Sequence, residues 1–91
     1  MLSMANDSIK LYALSTCSHC RDCKALLAAL GCSYECVDVD QLTPAARQAV
    51  LTEVKAVNPR LSFPTLVVGD KVIVGFKKEE IQEILNAVDR G

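Results

Sequence analysis

Hydrophobic and polar positions change period several times along the chain, and each change predicts an element. Residues 9–14 (IKLYAL) alternate apolar and polar at first and include an aromatic, the period-two signature of a strand. Ser15, Thr16 and Ser18 break the alternation. From residue 17 to residue 30, Cys20, Cys23, Leu26, Leu27 and Leu30 recur at spacings of three and four, while Arg21, Asp22 and Lys24 take the opposite side. This predicts an amphipathic helix. Gly31 stands where a C-terminal cap glycine belongs, and residues 34–39 (YECVDV) alternate again, so the first unit is strand, helix, strand, a connection that favours parallel pairing.

The second half follows the same logic. Thr43 followed by Pro44 is an N-cap with a first-turn proline, and Val50, Leu51, Val54 and Val57 form the apolar stripe of a second helix that ends at Asn58-Pro59. Ser62-Phe63-Pro64 leads into the apolar run 65–68, and with the turn pair Gly69-Asp70 and the run 72–74 this predicts a hairpin. Gly75 interrupts. Ile81, Ile84, Leu85 and Val88 then fall at helical spacing within residues 79–88 and predict a C-terminal helix. The order β-α-β-α-β-β-α describes an α/β chain whose simplest packing is one mixed four-stranded sheet flanked by three helices.

Length and composition bound the function. Ninety-one residues, 51% of them apolar, fit one compact domain, expected over residues 9–91 behind a flexible segment 1–8. Residues 1–7 lack a basic region followed by an apolar one, so no export signal is expected and a reducing cytoplasm is the expected compartment. No run approaches the roughly 20 apolar residues of a membrane span. Ten basic and eleven acidic residues are interspersed for a net charge of −1, which gives neither nucleic acid nor an anionic membrane as a partner. A monomer is expected. The unusual term is five cysteines, because structural disulfides are rare in a reducing compartment and paired cysteines there are redox-active or metal-binding.

Cys17-Ser18-His19-Cys20 places a C-x-x-C at the junction of the first strand and the first helix. Unsatisfied N–H groups and the partial positive charge of a helix N-terminus stabilise a thiolate at Cys17, and a thiolate is the nucleophile of disulfide exchange. Cys20 lies one turn along, close enough to attack a mixed disulfide on Cys17 and expel the reduced product. The other reading of a C-x-x-C is half a zinc site, and Cys17, Cys20, Cys32 and Cys36 together approximate a zinc-ribbon spacing. Geometry opposes it: with a helix between them, Cys32 lies on the order of 15 to 18 Å from Cys20. A Cys32–Cys36 disulfide is disfavoured too, since four extended residues span roughly 13 Å and a disulfide needs Cα atoms within about 7 Å.

Cys32 and Cys36 therefore read as core or edge thiols. Cys23 lies on the apolar stripe as a small buried hydrophobe, with a second redox role as the alternative. Two roles are open to His19, support of the Cys17 thiolate or plain solvent exposure. Arg21 and Lys24 either strengthen the positive potential at Cys17 or are ordinary surface charges.

On these motifs the sequence resembles the glutaredoxin family, of thioredoxin-like fold, from about Ile9 to the last helix. Three landmarks carry the resemblance: the C-x-x-C after the first strand, Phe63-Pro64-Thr65 where the family has a cis-proline opening its third strand, and Gly75-Phe76 at the glycine turn before the last helix. It implies that Pro64 is cis and that Ser18, His19, Phe63, Pro64, Gly75, Phe76 and Lys77 bind substrate or glutathione. Leu14 stands where many glutathione-using members carry a lysine, and Val74-Gly75-Phe76-Lys77-Lys78 lacks their Gly-Gly and aspartate, departures that count against glutathione. Lys77, or the N–H groups opening the last helix, could still meet a carboxylate. Gly75-Phe76-Lys77 is similar to the Gly-Phe-Arg turn of NrdH-type redoxins, which are reduced by a thioredoxin reductase.

The implied function is a dithiol oxidoreductase acting on protein disulfides or mixed disulfides, with Cys17 as nucleophile and Cys20 as resolving thiol. No tightly bound cofactor or metal is expected, and glutathione enters as a co-substrate. Glutathione, a thioredoxin reductase or a ferredoxin-linked reductase are the candidate reductants. Ser18, in the place of a common proline, also resembles members that bridge an iron–sulfur cluster, so the alternative is an iron–sulfur or metal carrier using Cys17 with glutathione or other thiols. A redox-inert binding module is a third reading.

Overall fold

In the computed structural model the backbone is described for residues 9–90 and the side chains for residues 9–86. The expected flexible segment 1–8 and the Val88 side chain lie outside the described residues. Strand β1 (Ile9–Ala13) leads through helix α1 (Ser18–Ala29) to β2 (Glu35–Asp38), and helix α2 (Pro44–Val57) follows a short 3-10 turn, Val39–Gln41. Strands β3 (Thr65–Val68) and β4 (Lys71–Val74) form the hairpin, and α3 (Lys78–Arg90) closes the chain. The four strands make one mixed sheet in the order β2-β1-β3-β4, with β1 and β2 parallel and the other pairs antiparallel. The three helices flank that sheet in a thioredoxin-like α/β fold.

The alternation in β1 sorts the side chains to two faces. Ile9, Leu11 and Ala13 join Cys20, Cys23, Leu26 and Leu27 of α1, Leu66, Val68 and Ile73 of the hairpin, and Ile81 and Leu85 of α3 in one buried cluster. Tyr12 points the other way and donates its hydroxyl hydrogen to Glu53 of α2 at 2.9 Å. Helices α1 and α3 thus cover one face of the sheet and α2 lies on the other. On α2 only Val54 of the expected stripe is fully buried; Val50 and Leu51 are half-buried and Val57 is 40% exposed, because a single helix covers its face of the sheet incompletely.

Local chemistry sets the ends of the helices. Gly31, at φ 71°, donates its N–H to Ala28 O at 3.0 Å while Cys32 N–H reaches Leu27 O at 3.1 Å, the paired closure that a glycine beyond the helix end permits. Thr43 Oγ1 accepts the Ala46 N–H at 3.3 Å as the N-cap of α2. Beyond α2, Asn58 is buried and its Nδ2 donates to Ser62 O, Ser62 Oγ and Thr65 Oγ1 at 3.0 to 3.2 Å. Its Oδ1 accepts the Arg60 N–H. This network holds the loop in which Leu61 adopts φ 53°, a left-handed conformation uncommon for leucine. Among the described residues, no helix is long and apolar enough to cross a membrane.

Candidate active site

The register of the sheet gathers distant segments at one end. Ala13 pairs with Asp38, Tyr12 with Thr65, and Thr65 with Val74, so the residues following β1, β2 and β4 and those preceding β3 meet along one edge. The C-x-x-C lies there. Cys17 is the N-cap of α1, half-buried and packed against the core, with its N–H donated to Leu14 O at 3.1 Å. Ser18 and His19 are exposed in the first turn, whereas Cys20 turns inward and is fully buried. The Phe63–Pro64 bond is cis, as the resemblance implied. Gly75, at φ 87°, donates its N–H to Pro64 O at 2.8 Å and so ties the last glycine turn to the segment before β3. Phe63 and Phe76 are half-buried against the core, and Lys77 is exposed.

The two thiols of the motif sit in opposed environments. The Cys20 N–H faces the Cys17 sulfur and is the main cause holding its pKa below the ordinary thiol value; partial burial opposes it, and the Cys20 thiol, the His19 N–H and the Arg21 charge assist. In the thiol form this is not a regular side-chain cap. The interaction strengthens when the sulfur carries charge. Burial pushes the Cys20 thiol up to about 11, with the neighbouring Cys17 adding to the rise. The Leu14 N–H, 3.4 Å from the Cys20 sulfur, works the other way.

Of the two flanking cations, Arg21 favours the Cys17 thiolate. Lys24 instead pairs with Asp38 at 2.8 Å, drawn to β2 by that carboxylate. Cys23 is fully buried and its thiol is pushed up to about 11, first by burial and then by Cys36. Cys32 is half-buried at the end of α1, and Cys36 is exposed on the edge strand β2. Among the described residues, no three His, Cys, Asp or Glu side chains converge in a way that could hold a metal ion.

Periodicity did not reveal two features of the site. The Asp40 carboxylate accepts the Ser15 N–H at 2.9 Å and the Ser15 hydroxyl at 2.5 Å, two residues before Cys17. Arg60 and Lys77 share an open cleft of about 530 Å³ with Val57, Asn58, Pro59 and Val74. Both features join residues far apart in the chain, and no spacing rule signals such pairs.

Comparison with known proteins agrees with this geometry. The glutaredoxin family model matches residues 9–73. No curated protein sequence matches the chain. Among solved structures, methanoredoxin from Methanosarcina acetivorans is 41% identical with a TM-score of 0.85, over 88% of this chain and 85% of its own. Glutaredoxin from Archaeoglobus fulgidus is 31% identical with a TM-score of 0.83, over 86% and 85%. The glutaredoxin-like NrdH-redoxin from Escherichia coli is 26% identical with a TM-score of 0.66, over 85% and 93%. With its paired cysteines at the head of α1 and a family match spanning most of its length, the chain belongs to the glutaredoxin family of thioredoxin-fold redox proteins.

Proposed function

We propose that the protein is a thiol-disulfide oxidoreductase that reduces disulfides in proteins, including mixed disulfides with small thiols. The observation that carries the proposal is the placement of the two thiols, Cys17 half-buried at the N-cap of α1 and Cys20 fully buried one turn along, an arrangement that lowers the first thiol and raises the second. The Cys17 thiolate attacks one sulfur of a substrate disulfide, forming a Cys17–substrate disulfide and releasing the other sulfur as a thiolate. Cys20 then loses its proton and attacks the Cys17 sulfur. The Cys17–Cys20 disulfide forms, the second substrate sulfur leaves as a thiolate, and two electrons have passed to the substrate.

The raised pKa of Cys20 suits the second step. Its proton keeps it from competing for the first attack. Once Cys17 is held in a disulfide, the charge and hydrogen bond by which Cys17 raised Cys20 are gone, so Cys20 ionises more readily when it is needed, although burial persists.

Resetting the dithiol takes two electrons from an external donor. Glutathione, a thioredoxin reductase and a ferredoxin-linked reductase are the candidates, in a cytoplasmic setting. Ser18, His19, Phe63, Pro64, Gly75, Phe76 and Lys77 are the proposed contacts for the incoming disulfide or thiol. The Arg60 and Lys77 cleft offers two cations to a carboxylate on it.

The test is an activity comparison. Cys17→Ser abolishes disulfide reduction, while Cys20→Ser retains the first exchange and loses turnover on protein disulfides. Full disulfide reductase activity in Cys17→Ser overturns the proposal. Reduction of the oxidised protein by each donor in turn then identifies the reductant.

A further inference from the structure

The segment joining β1 to α1 is held from outside the motif. Ser15 gives both of its polar hydrogens to Asp40, the N–H to Oδ1 at 2.9 Å and the hydroxyl to Oδ2 at 2.5 Å. Gln41 Nε2 closes the group by donating to Ser15 Oγ at 3.0 Å and Asp40 Oδ2 at 3.3 Å. The 3-10 turn that carries Asp40 is itself pinned by Arg47 of α2, whose guanidinium donates to the carbonyls of Val39, Asp40 and Leu42 at 3.2 to 3.3 Å. Next to Ser15 is Leu14, whose carbonyl takes the Cys17 N–H and whose N–H points at the Cys20 sulfur at 3.4 Å. Hydrogen bonds, carried across the Leu14–Ser15 peptide link, thus connect α2 through Asp40 to the Cys17 backbone and the Cys20 sulfur.

We infer that Asp40 is a positioning residue for the resolving step, keeping the residue 14–17 segment placed so that the Leu14 N–H stays on the Cys20 sulfur. The inference rests on the reading above that Cys20 resolves the mixed disulfide. In that step the Cys20 thiol gives its proton to solvent, negative charge gathers on its sulfur, and as the Cys17–Cys20 bond forms the Cys17–substrate bond breaks and the charge leaves on the substrate sulfur. The Leu14 N–H is aimed at the atom where charge gathers, in surroundings where burial otherwise disfavours it. The Asp40 carboxylate suits the clamp, because its hydrogen bonds from Ser15 hold it ionised far below neutral pH.

Reduced protein is mixed with a peptide disulfide, quenched with acid over time and analysed by intact mass, which separates the mixed disulfide from the Cys17–Cys20 disulfide. With Asp40→Ala, conversion of the mixed disulfide slows about tenfold more than its formation, the effect of losing one well-placed donor to a charged sulfur. Asp40→Asn keeps a side-chain oxygen for the Ser15 N–H and recovers most of the rate. Ser15→Ala, which loses the hydroxyl alone, falls between them and decides the matter if Asp40→Ala does not fold. In a Cys17→Ser background the alkylation midpoint of Cys20 rises on adding Asp40→Ala, a shift that general loosening of the fold would not produce. Unchanged conversion, or equal slowing of both steps, overturns the assignment. If the unsubstituted protein never passes from mixed disulfide to Cys17–Cys20 disulfide, the resolving role of Cys20 itself is wrong.

Discussion

Cys17 and Cys20 are one helical turn apart, yet each shifts the other's thiol in the opposite direction. The Cys20 N–H and thiol stabilise charge on Cys17, and that charge in turn discourages ionisation of Cys20 beyond what burial already does. The asymmetry comes from position on the helix. As N-cap, Cys17 faces the free N–H groups of the first turn, while Cys20 lies inside the helix against Leu14 and the core.

The first prediction concerns pH. Thiolate, not thiol, reacts with iodoacetamide, so the labelling rate of Cys17 falls as pH drops through a midpoint below the ordinary value of 9.0. Cys20, raised first of all by burial, labels with a midpoint above 9.0. Site-resolved labelling measured against pH checks both; a common midpoint for the two cysteines contradicts the asymmetry.

Stability has its own alkaline signature. Burial raises Cys20 and Cys23 from 9.0 to about 11, and the Asp38 hydrogen bond raises Lys24 above its ordinary 10.5. Each of these groups keeps its proton longer in the folded state than in the unfolded state. Their contribution is therefore complete below the unfolded values and is lost as pH rises through the folded ones. Under reducing conditions the urea midpoint declines from pH 9 to pH 11, and Cys23→Ala makes the decline shallower. A flat profile contradicts the assignment of these thiols to the core.

The loop before β3 depends on one side chain. Asn58→Ala strips Ser62 O and Thr65 Oγ1 of a donor and leaves the Arg60 N–H without its acceptor. It lowers unfolding free energy by about 1 to 3 kcal/mol in urea titration. A neutral result would mean that water replaces the network.

At the end of α1, Gly31→Ala lowers stability by about 1 kcal/mol, the penalty for a side chain at positive φ. A Cβ there meets no atom within 4 Å, so the loss is conformational and Gly31→Asn recovers part of it.

The order of elements was legible because each buries a face, and burial imposes a period that composition cannot hide. Cys20, Cys23, Leu26 and Leu27 announced α1 and are its buried residues. The position of the C-x-x-C was legible for the same reason, since the strand ends and the helix begins around it. Asp40 and Asn58 were not, because their work is polar and irregular. Asp40 acts 25 residues from its partner, across parallel strands whose register the sequence does not state. Asn58 read as a helix stop and is also a buried anchor. Lys24 read as a possible support for Cys17, but its reach to Asp38 depends on where β2 lies.

The central claim is that Cys17 alone makes the first attack. The most direct measurement is peptide mapping of Cys20→Ser after exposure to a protein disulfide under conditions that preserve mixed disulfides. The account predicts a stable adduct on Cys17, with Cys23, Cys32 and Cys36 unmodified. An adduct on the exposed Cys36 with Cys17 left free would contradict it.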